Sequence, residues 1–209
     1  MIRSAYLRTG LGRGVAPSAT TQLPLRAFSC SALRRAPSPI QHPTHPHPLF
    51  LHPISSNIYA VSLLSAAPSS PTAASVVATF QSRSAGTDAD LFDEAQSNPD
   101  RVSANKAFLT LLHATLKDVC VPQDGLMQYE AALRKSGWIH ASDPRHPLMP
   151  GRIPTPENIF ATVAFTEGEL RPESYEANDT YRIVTAEEGF MQLRPHWHDF
   201  VCKACEAVN

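Results

Sequence analysis

Apolar positions in the C-terminal half recur at helical spacing and predict a series of helices. Asn98-Pro99 reads as an N-cap followed by Pro at the first helical position, with Asp100 in the first turn. Ala104, Phe108, Leu111, Leu112, Leu116 and Val119 then share one face, which predicts a core-facing helix ended by Val121-Pro122. Asp124 is the expected N-cap of a second helix, with Leu126, Tyr129, Ala132 and Leu133 as its core stripe. Lys135-Ser136-Gly137-Trp138 suits a Schellman-type ending, with Trp138 as a packing lid. Pro144, Pro147, Pro150 and Pro154 make residues 140–155 a long loop. Thr155-Pro156-Glu157 is expected to start a short third helix carrying Ile159, Phe160 and Val163.

The pattern changes once before the end. Tyr181 to Thr185 is β-branched and aromatic, Phe190 to Leu193 follows, and Gly189 sits at the turn exit, so a hairpin is expected. Pro195 opens a last helix with Trp197, Phe200, Val201, Ala204 and Val208 on one face. The fold class that results is mainly α, with α+β as the alternative. It is a single small globular domain over 88–209 with one C-terminal β-hairpin, preceded by a disordered N-terminal third.

Charge separates the two parts. Residues 1–87 contain seven Arg, no Lys and no acid, whereas 88–209 hold eleven Lys and Arg against all 19 acids, a net −8 within a whole-chain charge of −1. An acid-free, Arg-rich leader over 1–35 is the composition of a mitochondrial transit peptide. Arg26-Ala27-Phe28-Ser29 resembles the Arg-x-Phe/Tyr-Ser sites cut by the mitochondrial processing peptidase, which implies a matrix protein whose mature form begins near Ser29. Residues 36–87 are expected to be a disordered linker rich in Pro, His, Ser and Ala, because dense proline favours extended, unpaired chain. The ten-residue apolar patch from Ile58 to Ala67 is too short to span a bilayer, and no transmembrane segment is expected.

Chemistry concentrates near the C-terminus. His198, Cys202 and Cys205 lie at i, i+4 and i+7 of the last helix and are the candidate metal ligands, with zinc as the implied ion. A fourth ligand would have to come from His140, His146 or Cys120. One helix rarely supplies a structural zinc site, so the favoured expectation is no cofactor and no catalytic residue. His113 is read as a boundary residue and the acids around Asp179 as a solvated face. There is no glycine-rich phosphate loop, no Gly-x-Ser-x-Gly and no His-Glu-x-x-His, which leans against an enzyme. The acidic half argues against nucleic acid. The expected function is that of a non-catalytic mitochondrial accessory, assembly or regulatory protein with a protein partner. The alternative is a metal-binding or thiol-redox protein using the His-x3-Cys-x2-Cys cluster.

Overall fold

The computed structural model describes residues 38–83, 88–145 and 152–209. The expected transit peptide, and His146 among the candidate ligands, lie outside the described residues. Ten strands in three antiparallel sheets, with four α-helices against them, make up the described chain, so the mainly α expectation is overturned. The disordered N-terminal third is corrected with it for its described residues, 38–83. Residues 38–83 supply β1 (Ile40–Gln41), β2 (Phe50–Pro53), β3 (Ile58–Ser62) and β4 (Val76–Gln81), four of the five strands of one sheet.

That sheet folds from a sequence without charges because its turns and its apolar side chains suffice. The backbone N–H groups of Ile54 and Ser55 both donate to the Ile58 carbonyl and close the β2–β3 hairpin. Leu49, Leu51, Val61, Val77 and Phe80 are then fully buried, and His52 is buried with Nε2 bonded to the Leu64 carbonyl at 2.9 Å. Proline falls where a strand tolerates it, in the turn before β2 and at the end of β2.

A short helix, α1 (Asp88–Ser97), follows, and β5 (Val102–Ala104) closes the sheet against β4. The long helix expected from Asn98 is therefore split. Pro99–Arg101 is only a 3₁₀ turn, and α2 (Lys106–Thr115) begins at Asn105, whose Oδ1 accepts the Ala107 N–H. The Asn105 amide also donates to the carbonyls of Ala73 and Val76, tying α2 to the approach to β4. Phe108, Leu112 and Leu116 are buried as the periodicity requires, while Ala104 is exposed on β5. Past Thr115 the helix widens into a π turn, Leu116–Cys120, and then tightens to a 3₁₀ turn.

Helix α3 (Gly125–Arg134) starts at the expected cap, Asp124, but buries Met127 and Ala131. Its expected core residues Leu126, Tyr129 and Leu133 are 70%, 65% and 65% exposed. Trp138 is no lid; it stands half out of β6 (Gly137–Ser142). The expected third helix is the central strand β7 (Ile159–Thr166) of a second sheet, ordered β6-β7-β8 with β8 at Glu169–Ala177. Ile159, Phe160, Ala161, Val163 and Phe165 are all buried, so the opening run Ile159–Ala161 carries no alternation and the period of two shows only from Ala161 to Thr166. Glu167 (φ 56°) and Gly168 (φ 84°) form the two-residue turn into β8, with the positive angles a tight hairpin demands.

The C-terminal hairpin is reduced to β9 (Val184–Thr185) and β10 (Gly189–Phe190). Helix α4 (Pro195–Ala207) buries Trp197, Val201 and Cys205. One core cluster runs through both larger sheets and all four helices.

Candidate functional site

Among the described residues, exposed large apolar side chains gather beside β6. A groove of about 810 Å³ has the outer face of α3 as one wall, residues 152–154 as the other and β6 as its floor. Leu126 and Leu133 rise from the helix, Trp138 (51% exposed) from the strand and Ile153 (72% exposed) from the opposite wall. Tyr129 continues the helix stripe. β6 is an edge strand, with β7 on its other side. Isolated exposed leucines are ordinary, but a contiguous apolar patch framed by charge marks a place where something binds. The charges that line the groove are Arg134, Arg152, Arg194 and a single acid, Glu130, which is paired to Arg134 at 2.6 Å.

The groove is held in shape from below. Asp124 is fully buried, accepts the N–H groups of Leu126 and Met127, and is ion-paired to Arg194 with His196 Nε2 at 3.2 Å. Arg194 in turn lies over the Trp197 ring, 4.6 Å from its centroid. Burial would push the Asp124 carboxyl up, yet the Met127 N–H and Arg194 outweigh it and hold the pKa below its ordinary 3.8. Its contribution to stability is therefore complete above about pH 4 and is lost as the pH falls below that value. Asp124→Ala is expected to cost about 1–2 kcal/mol for the cap alone, and more because Arg194 loses its partner. Urea unfolding at pH 7 measures this, and a loss under about 0.5 kcal/mol, the scale of an ordinary surface change, would contradict it.

A second polar centre is closed to ligands. Arg145, three residues past β6, is buried and has all five N–H donors occupied. Nε donates to Asn158 Oδ1, one terminal nitrogen to the carbonyls of Ile183 and Gly189, and the other to those of Glu157 and Arg182. Asp143 lies 3.4 Å from Arg145 Nε and accepts from the Arg145 and Gln192 N–H groups and the Tyr181 hydroxyl. Burial still pushes its carboxyl up to about 6. This cluster locks the β9–β10 hairpin to β6.

The candidate metal ligands divide. His198 Nε2 stands 3.3 Å from Cys202 Sγ, whereas Cys205 is buried on the core side of α4 with Trp197 and Val201. The thiols of Cys202 and Cys205 are pushed up by burial to about 11 and about 12, so both stay protonated at neutral pH. Of the outside ligand candidates, His140 bonds Thr162 at the groove, and Cys120 is buried with its thiol pushed up to about 12. Among the described residues, no three His, Cys, Asp or Glu groups are placed to hold a metal ion. Instead, the His-Pro tract packs here. His45 and His47 donate through Nε2 to the carbonyls of Met191 and Leu193, and His47 stacks on His198 at 4.3 Å. Cys205→Ser, which puts a hydroxyl in the core, is expected to cost about 1–3 kcal/mol. Cys202→Ser should stay within about 0.5 kcal/mol. Equal losses in thermal melts would mean that α4 presents another face.

Two features carry no signal in the sequence: the pairing of His113, a boundary residue as expected, with Tyr175, and the groove. His113 is half-buried and bonded through Nδ1 to the Tyr175 hydroxyl at 2.8 Å, beside a cleft of about 440 Å³ that includes Lys106 and Asp179. Only β8, unrecognised as a strand, brings Tyr175 there. The groove was passed over because its leucines fit a core-facing stripe. No family, no curated protein and no solved structure matches this chain.

Proposed function

We propose that this protein is a non-catalytic accessory partner in mitochondria that acts by holding another protein in the groove between α3 and residues 152–154. One observation carries the reading: Leu126, Leu133, Trp138 and Ile153 are half or more exposed around one groove. Apolar anchors of this kind, with aromatic and Arg residues among them, supply most of the binding energy at protein interfaces. The Arg-rich, acid-free residues 1–35 support the mitochondrial part.

The test compares proteins co-purified from isolated mitochondria with the wild-type chain and with a Leu126→Ser/Leu133→Ser variant. The variant is expected to keep its melting temperature and lose a specific partner. A drop in stability of about 2 kcal/mol or more, as for core leucines, would show that the stripe packs within the protein and would sink the reading. So would an unchanged set of partners.

A further inference from the structure

The groove has a charge and a shape that narrow what it can hold. Its lining carries three arginines against one glutamate, although residues 88–209 as a whole carry −8. Glu130 is already paired to Arg134 and Arg194 to the buried Asp124, while Arg152 has no ion-pair partner among the described residues and is the cation left for a ligand. The floor runs along most of β6, since Trp138, Ile139, His140 and Ser142 all line it, and the exposed apolar anchors stand on both walls and on the floor. A six-residue strand extends roughly 20 Å, the span of an extended peptide of similar length.

We infer that the groove takes an extended acidic segment of a partner protein, with apolar residues alternating with Asp or Glu, laid along the edge strand β6. This rests on the docking role proposed above and gives the partner its chemistry. The apolar side chains meet Leu126, Leu133, Trp138 and Ile153, and the carboxylates meet the arginines at the rim. Extended segments are recognised at sheet edges in this way, with alternate side chains read by pockets. A second copy of this chain is disfavoured, because two arginine-lined grooves would face each other. An anionic bilayer is disfavoured too, because the anchors line a concave surface between two walls and the surrounding half is acidic.

The two tryptophans make a direct test. Trp197 is fully buried and Trp138 is half exposed in the groove, so a change of emission on binding reports Trp138. The full chain is titrated with three synthetic eight-residue peptides in which Leu alternates with Glu, Gln or Lys. The Glu peptide is expected to shift Trp138 emission to the blue, saturably, and to weaken as salt screens the arginines. The Lys peptide should bind at least about tenfold more weakly, since like charges suppress wrong partners. Arg152→Ala should weaken the Glu peptide several-fold without changing the melting temperature, and Trp138→Phe should abolish the shift.

Equal binding of the Glu, Gln and Lys peptides would overturn the acidic partner and leave the docking role standing. No shift with any peptide, together with an unchanged set of partners for the Leu126→Ser/Leu133→Ser variant, would overturn both. A shift produced by protein concentration alone would assign the groove to a second copy. One produced by phosphatidylglycerol vesicles but not by peptides would assign it to a membrane. Either result would replace the proposal.

Discussion

A fragment beginning at residue 88 is expected to be unfolded, although its composition is that of an ordinary domain. Removing the preceding strands takes away Leu49, Leu51, Val61, Val77 and Phe80, all fully buried. Each such side chain contributes about 1.5–3 kcal/mol through burial. Together they match the whole stability of a small domain, about 5–15 kcal/mol. The loss is compounded because β5 keeps no strand to pair with and the Asn105 amide loses both of its carbonyl partners. Far-UV circular dichroism and amide NMR dispersion measure it. The fragment 36–209 should fold, the fragment 88–209 should not, and a dispersed spectrum from the shorter one would refute the shared core.

Arg145→Met should be the most damaging single substitution. It removes five donated hydrogen bonds at once and leaves Asp143 buried beside no cation. Breaking a buried pair from one side costs about 3–5 kcal/mol, and Arg145→Lys should rescue little because an ammonium has three donors for five acceptors. Urea denaturation checks the magnitude, and a loss below about 1 kcal/mol would mean that the carbonyls find other partners.

Asp143 adds a pH signature. Its folded value of about 6 lies above its ordinary 3.8, so the native state binds this proton more tightly than the unfolded chain does. The carboxyl's contribution is full below pH 3.8 and declines as the pH rises through about 6, opposite in sign to that of Asp124. Carbon NMR of the two carboxyl groups should show Asp143 titrating near 6 and Asp124 below 3.8.

How much of this was legible varies from element to element. The cap at Asp124, the buried face of Phe108, Leu112 and Leu116, and a helix opening at Pro195 follow from local chemistry that the fold leaves undisturbed. β7 reads as a helix because its first three residues are all apolar and buried, and Ile159, Phe160 and Val163 also fit a helical spacing. β2 to β4 are hidden by missing charges and dense proline, which mimic a disordered composition although Pro53 only ends β2 and neither β3 nor β4 contains a proline. In the candidate site, the stripe Leu126-Tyr129-Leu133 was visible but its direction was not. An apolar helix face states that it will be covered and leaves open whether the cover is the same chain. His198 and Cys202 do meet, as their spacing allows, and Cys205 turns inward because it continues the Trp197–Val201 row, at i+8 from Trp197.

The uncharged sheet has a consequence for the unfolded chain. From Ala36 to Gln81 no Lys, Arg, Asp or Glu interrupts the sequence, and the runs Ile58 to Ser65 and Val76 to Phe80 contain no proline. Short windows of high β-propensity without charge or proline are the ones that stack into intermolecular sheets, and charged gatekeepers that would hinder this are missing here. Once the native sheet opens, these strands meet those of other molecules faster as concentration rises. Destabilised variants such as Arg145→Met are therefore expected to be lost by aggregation, and their apparent melting temperature to fall with protein concentration and with slower heating.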